Sequence, residues 1–303
     1  MIRIFRCLAF GQLLLASALW AQKDVVSLSA PLTETVYLLG GQARLAAVSD
    51  SSVFPKQAVV DRDAAKFQVL AFSRTDVATI EALHPKLILT STGFQHGLAE
   101  QLRAKGYKVL HFEPESIEDI FRQTQTIGEA LGKGSKARGA VAKMRREMQE
   151  VAEKSATLPR VRVYMEINHQ GPWTSGGKST ENEMIRLAGG ENVFADQATG
   201  VFVTSNTEVI RRNPEIILSP IWLDAHVGGI DGITTLAEII SRPGFSQTDA
   251  VKNSRVLYYD SALMKHQGPR EILALRKLAY LLHPEAFENP TGTIPWELGR
   301  VRK

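Results

Sequence analysis

The sequence predicts an α/β protein built as two doubly wound lobes joined by a single long helix. Three observations lead there. Short apolar runs alternate with helical patterns on both sides of residue 136, as in parallel sheets covered on both faces. A helix-proline-strand unit occurs twice, from Ile80 to Leu89 and from Val209 to Leu218. Between the two lies one amphipathic pattern, from about Lys136 to Ala156, in which Ala137, Val141, Met144, Met148 and Val151 recur at helical spacing.

The first residues have the form of an export signal. Arg3 and Arg6 precede an apolar stretch from Leu8 to Trp20, and the small residues Ala16, Ser17, Ala18 and Ala21 follow the pattern of a cleavage site. The stretch is too short to cross about 30 Å of hydrocarbon, so residues 1–21 read as a signal peptide cleaved near Ala21. The first lobe then covers 22–134. Strands are expected at Val25–Leu28, Leu45–Val48, Leu87–Leu89 and Lys108–Phe112, and helices at Thr33–Leu39, Ala78–Leu83, Gly97–Lys105 and Ile117–Leu131. The connecting helix occupies 135–158 and ends before Pro159.

The second lobe, 159–303, repeats the alternation. Strands are expected at Val161–Ile167, Ile216–Leu218 and Arg255–Tyr259, and helices near Glu183–Leu187 and at Glu208–Arg211, Leu236–Ser241 and Pro269–Leu282. The segment from Trp173 to Asp196 is the most distinctive. A short amphipathic helix is stopped by Gly189-Gly190, since glycine takes a positive φ without steric cost, and Asn192-Val193-Phe194 turns back into the body.

Composition narrows the function classes. The one cysteine, Cys7, lies in the leader and lacks the residues that precede a lipid-anchored cysteine. A chain cleaved near Ala21 therefore has no disulfide, no thiolate nucleophile and no sulfur-rich zinc site. The net charge of +4 is small and well mixed, and no basic run is interleaved with aromatics, which argues against nucleic acid. A secreted enzyme is one rival class. Its signals are missing: there is no Gly-x-Ser-x-Gly elbow and no His-Glu-x-x-His. Gly176-Gly177-Lys178-Ser179 has the end of a phosphate loop without the earlier glycine. A stand-alone metal-binding chaperone or scavenger is the other.

In doubly wound sheets, ligands bind beyond the carboxyl ends of the strands. That places a cleft among the loops at 29–32, 71–76, 91–96, 168–175, 200–205, 220–229 and 260–267. The candidate ligand-binding residues on them are Ser29, Phe72, Arg74, Phe94, His96, His169, Trp173, Phe202, Trp222, Met264 and His266. Aromatic rings offer broad, rigid contact to a flat ligand. His96, His169, His226 and His266 are also candidate metal ligands, because neutral imidazole is a common one. His84, His111 and His283 read as structural or solvent-facing.

The run Ala188-Gly189-Gly190-Glu191-Asn192-Val193-Phe194 resembles the second lobe of the periplasmic binding proteins that serve metal-chelate ABC importers, closest to the vitamin B12 branch. Val25 to Ser29 with Thr33-Glu34, Phe54-Pro55, Ala82-Leu83-His84-Pro85 and Gly268-Pro269-Arg270 match the same family in order and spacing. The resemblance implies the class III periplasmic binding protein fold, with little hinge motion and a monomeric state. It also implies a solute carrier rather than an enzyme, with no catalytic cofactor. The cargo would be a corrinoid, an iron-siderophore or haem, carrying cobalt or iron, and the partner an ABC permease in the inner membrane. Phe72 and Trp173 fall where the B12 branch sets aromatics against its ligand, whereas Ser51 and Ser91 replace two of them. Ala78 and Thr207 fall at the acidic permease-docking positions, and the nearby Glu81 and Glu208 are the expected substitutes.

Overall fold

A computed structural model of the chain describes residues 23–167, 172–221, 236–264 and 266–290. The first half forms β1 (Val25–Ser27), α1 (Ala30–Leu38), β2 (Leu45–Ser49), α2 (Lys56–Asp63), β3 (Gln68–Leu70), α3 (Val77–Glu81), β4 (Leu87–Ser91), α4 (Thr92–Ala104), β5 (Val109–Phe112) and α5 (Ile117–Ala130). All five strands run parallel in the order β3-β2-β1-β4-β5. The chain leaves β1 toward β2 on one side and returns to β4 on the other. The topological switch point therefore lies between the carboxyl ends of β1 and β4. Alternate residues feed two cores, one on each face: Val25, Leu45, Val48 and Leu87 on one side, Val26, Ala47 and Ile88 on the other.

Helix α6 (Gly134–Ala156) carries the chain onward. Its apolar stripe is not a solvent bridge. Ala137 packs into the first half's core, and Val141, Met144 and Val151 pack into the second half's. Each fully buried aliphatic side chain of this kind contributes about 1.5–3 kcal/mol. Helices α5 and α6 approach closely at Gly128, where an added Cβ would lie 2.3 Å from the Ala137 Cβ. Gly128→Ala is accordingly expected to cost about 1–3 kcal/mol by overpacking, measured as a lowered midpoint of urea unfolding.

The second half comprises β6 (Val161–Met165), β7 (Trp173–Ser175), α7 (Thr180–Leu187), β8 (Gly190–Asn192), β9 (Val201–Val203), α8 (Asn206–Arg212), β10 (Ile216–Ile221), α9 (Leu236–Ser241), α10 (Asp249–Lys252), β11 (Val256–Asp260), α11 (Ser261–Met264) and α12 (Glu271–Leu282). A four-stranded parallel sheet has the order β11-β10-β6-β8, so its switch point lies between β6 and β10. A separate antiparallel pair joins β7 to β9. Gly189 takes φ +88° just beyond α7, as expected for a helix stop, and an added Cβ there would meet His283 Nε2 at 2.6 Å. Gly190 begins a strand rather than extending the turn.

The fold class is the expected one, and the differences are local. Elements α2, β3, β7, β8, β9, α10 and α11 are additional. Helix α4 begins at Thr92 instead of Gly97, because the Gln95 side chain reaches back to accept from the Ser91 backbone N–H at 2.9 Å. No helix among the described residues is long and apolar enough to cross a membrane.

Candidate functional site

The carboxyl ends of the first sheet carry hydroxyl groups at three neighbouring strands. At the switch point, Ser91 Oγ donates to Ser29 Oγ at 2.6 Å. Gln95 Nε2 donates to the Leu28 carbonyl at 2.7 Å and to the Phe72 carbonyl at 3.2 Å, tying β1, β4 and the loop after β3 together. Beside this lies a chain of hydroxyls. Thr33 donates to Ser27 at 2.8 Å, Ser52 donates to Thr33 at 3.0 Å, and Ser49 bonds to both Ser52 and Ser51 at 2.9 Å. All except Ser51 are buried, so their hydrogen bonds must be met within the network. The sequence signal was available: each of the strands β1, β2 and β4 ends in Ser or Thr after an apolar run.

Above this floor stand the aromatic candidates. Phe72 is half-buried and its backbone N–H is held by Asp50 at 3.1 Å; Arg74 is exposed in the same loop. Phe94, in the first turn of α4, is 88% exposed. Its helix starts from Thr92, which holds φ +67°, an outlying conformation for a β-branched residue. His96, one turn further, meets His111 edge-to-face with ring centroids 5.4 Å apart. Glu113 joins them, 2.8 Å from His111 Nε2 and 3.6 Å from His96 Nδ1. The hydrogen bond from His111, aided by the charge of both rings, holds the Glu113 carboxyl below the usual range.

On the second sheet, Trp173 opens β7 directly opposite Val203 of β9, and Ser175 pairs with Val201. These side chains share one face, giving an exposed apolar ledge of Trp173, Val201 and Val203. Phe202 lies on the opposite face of this pair. It packs edge-to-face on Phe194 at 5.6 Å and belongs to the core beneath the ledge. The ledge is seated on β6 through the bridge between Glu166 and Thr174 and through Thr174 Oγ1 donating to the Met165 carbonyl at 2.9 Å. Glu166 is fully buried beside the switch point. Arg242 grips it with two bonds of 2.6 and 2.8 Å, and Tyr164 donates to it at 3.2 Å. His169, Trp222 and His226 lie outside the described residues.

Met264 and His266 sit beyond β11 but do not present free groups. Met264 is buried in the second half's core. His266 is also buried, with Nε2 2.6 Å from Glu34 of α1, and Arg270 Nε reaches the same Glu34 oxygen at 2.7 Å. Burial alone would raise the Glu34 carboxyl. His266 first, and then Arg270, outweigh it and hold the carboxyl below its ordinary range. Arg270 also stacks over Phe54, which follows β2, at 4.0 Å from the ring centroid. Loops leaving the carboxyl ends of both sheets thus meet, and a buried ionic cluster joins them. His283 is buried against Gly189, whereas His84 is exposed.

The two candidate docking glutamates are already engaged. Glu81 lies 3.0 Å from Lys105. Glu208 accepts from Arg211 and Arg212 and is pulled down to about 2, chiefly by the Arg211 hydrogen bond and then by Arg212. Ala78 and Thr207 are exposed.

This architecture of two parallel sheets and one connecting helix is that of a class III solute-binding protein. The chain belongs to the periplasmic binding protein family, whose description matches residues 25–263. It is 27% identical over 275 residues to an ABC transporter substrate-binding lipoprotein of Bacillus subtilis (strain 168), spanning 88% of this chain and 82% of the relative. It is 30% identical over 200 residues to a vitamin B12-binding protein of Yersinia pestis (strain Pestoides F), spanning 65% of this chain and 69% of the relative. The fold matches that of a periplasmic heme-binding protein of Roseiflexus sp. RS-1 in apo form, with a TM-score of 0.72 at 21% identity, over 88% of this chain and 99% of that one.

Proposed function

We propose that this protein is exported, loses its leader near Ala21, and captures a metal chelate between its two lobes, 22–134 and 159–303, for delivery to an ABC importer. Corrinoids, iron-siderophores and haem are the cargo classes, so the transported ligand brings cobalt or iron. The protein binds without turnover and works as a monomer. The observation that carries this reading is the pairing of a hydroxyl-lined floor at one switch point with exposed aromatics above it, Phe94 on the first sheet's side and Trp173 on the second's. Such a surface suits a flat ligand with apolar faces and polar rims. The contact residues are Ser29, Phe72, Arg74, Phe94 and Trp173. Phe202 and Met264 act from beneath as packing, and His266 acts through Glu34.

Docking on the permease would use Glu81 and Glu208, and each must first exchange an intramolecular partner for a permease cation. Trp173→Ala tests the cleft. Truncating a central aromatic anchor is expected to weaken chelate binding about tenfold to a hundredfold with the thermal midpoint unchanged. Unchanged affinity would place the ligand elsewhere.

A further inference from the structure

The cluster at the outer edge of the first sheet has a chemistry of its own. Glu113 follows the last residue of β5, and its carboxylate lies 2.8 Å from His111 Nε2, so the two groups meet at one end of that strand. His96 arrives from α4, the helix that follows β4 and packs beside β5. One nitrogen from each ring and one Glu113 oxygen lie within 4.8 Å of one another. Zinc binds imidazole nitrogen and carboxylate oxygen at about 2.0–2.2 Å, so a tetrahedral site sets its ligand atoms roughly 3.3–3.6 Å apart. The His96–Glu113 separation of 3.6 Å already matches.

Mobility and anchoring are divided suitably. The His111 side chain is 8% exposed, whereas His96 is 62% and Glu113 48% exposed. The buried ring is therefore fixed, and the two outer groups are free to adjust around an ion. The fixed ring is also oriented from behind. Thr90 and His111 are register partners across β4 and β5, and Thr90 Oγ1 lies 2.9 Å from His111 Nδ1. With a cation on Nε2, Nδ1 keeps its proton and donates it to Thr90, the outer-shell contact that sets tautomer and ring orientation in metal sites.

We propose that His96, His111 and Glu113 form a binding site for a bare divalent transition-metal cation of the zinc or nickel class, beside the chelate-binding surface that Phe94 lines. Two nitrogens and one carboxylate oxygen suit these ions over calcium or magnesium, which prefer all-oxygen shells. Three protein ligands leave at least one coordination position open to water or to a donor atom of an incoming molecule.

The test is a zinc titration of the full-length mature chain, stripped with a chelator and free of any cargo, followed by calorimetry and by competition with a chromophoric chelator. One strong site per chain is expected. His111→Ala and the double variant H96A/E113Q should each weaken it at least a hundredfold. Thr90→Val, which leaves all three ligands in place, should weaken it by about tenfold. The double variant alters only exposed side chains and should keep the wild-type thermal midpoint. No zinc or nickel binding, or binding that survives the double variant, would overturn the assignment and leave the cluster a simple ion pair. A parallel hemin and cyanocobalamin titration of the unsubstituted chain separates the two readings: zinc bound without any chelate sustains this site alone, and a chelate bound without zinc sustains only the cleft.

Discussion

Arg242→Ala is expected to lower the free energy of unfolding by about 3–5 kcal/mol. The reason is local. Glu166 has no solvent exposure at the end of β6, and Arg242 supplies two charge-assisted hydrogen bonds to it. Among the described residues, removing the guanidinium leaves a buried carboxylate with only the Tyr164 hydroxyl as a side-chain donor. At roughly 2–4 °C per kcal/mol for a chain of this size, the thermal midpoint should fall by about 10 °C or more. Arg242→Lys should recover only part of the loss, since an ammonium cannot reproduce the planar fork. The pair E166Q/R242M should recover more than half, because it removes the uncompensated charge. A loss under about 1 kcal/mol in Arg242→Ala would show that water reaches Glu166 and that the ledge carrying Trp173 is seated by other contacts.

The second large effect belongs to Glu34. Glu34→Ala strips His266 and Arg270 of their shared acceptor and should cost about 3–5 kcal/mol at neutral pH. The pH dependence has a definite sign. Burial opposes ionisation of Glu34, yet His266 and Arg270 together hold its carboxyl below the ordinary value. A carboxyl lowered in the folded state stabilises fully above its unfolded pKa of about 4.3, and that contribution is lost as pH falls through the folded value. Wild type should therefore lose stability faster than Glu34→Gln on acidification below about pH 4.3. Urea unfolding of both proteins between pH 7 and pH 3 checks this. A constant gap across the range would mean that His266 and Arg270 do not hold the folded carboxyl below its unfolded value. The same cluster joins α1 of the first half to the segment that leads into α12.

Much of this architecture was legible because apolar periodicity is a local signal. The parallel strands, the long helix and the stop at Gly189 each follow from a few consecutive residues. The unforeseen elements are those whose signal is weak: α2 (KQAVVDRD) has no apolar stripe, β3, β7, β8 and β9 are three residues each, and α10 and α11 are four each. The start of α4 was obscured by Gly93 and Gly97, and only the Gln95 reach-back reveals it.

Loop placement named the residues of the candidate surface but not the direction of their side chains. Antiparallel register decides that Trp173 faces outward while Phe202 packs on Phe194. His266 carried no mark of its partner Glu34, which lies 232 positions away in the chain. His111 read as structural because it sits inside a strand. Its pairing with His96 depends on how α4 lies against β5, and no spacing in the sequence encodes that.

The central claim is that this chain is a carrier of metal chelates. The most direct measurement is a spectroscopic titration of the purified mature protein with hemin, cyanocobalamin and ferric siderophores, following both the ligand's absorbance and tryptophan fluorescence. Saturable binding of at least one chelate at one molecule per chain, with the ligand recovered unchanged and the affinity reduced in Trp173→Ala, is the predicted result. No saturable binding across the panel, or chemical conversion of the ligand, would contradict it.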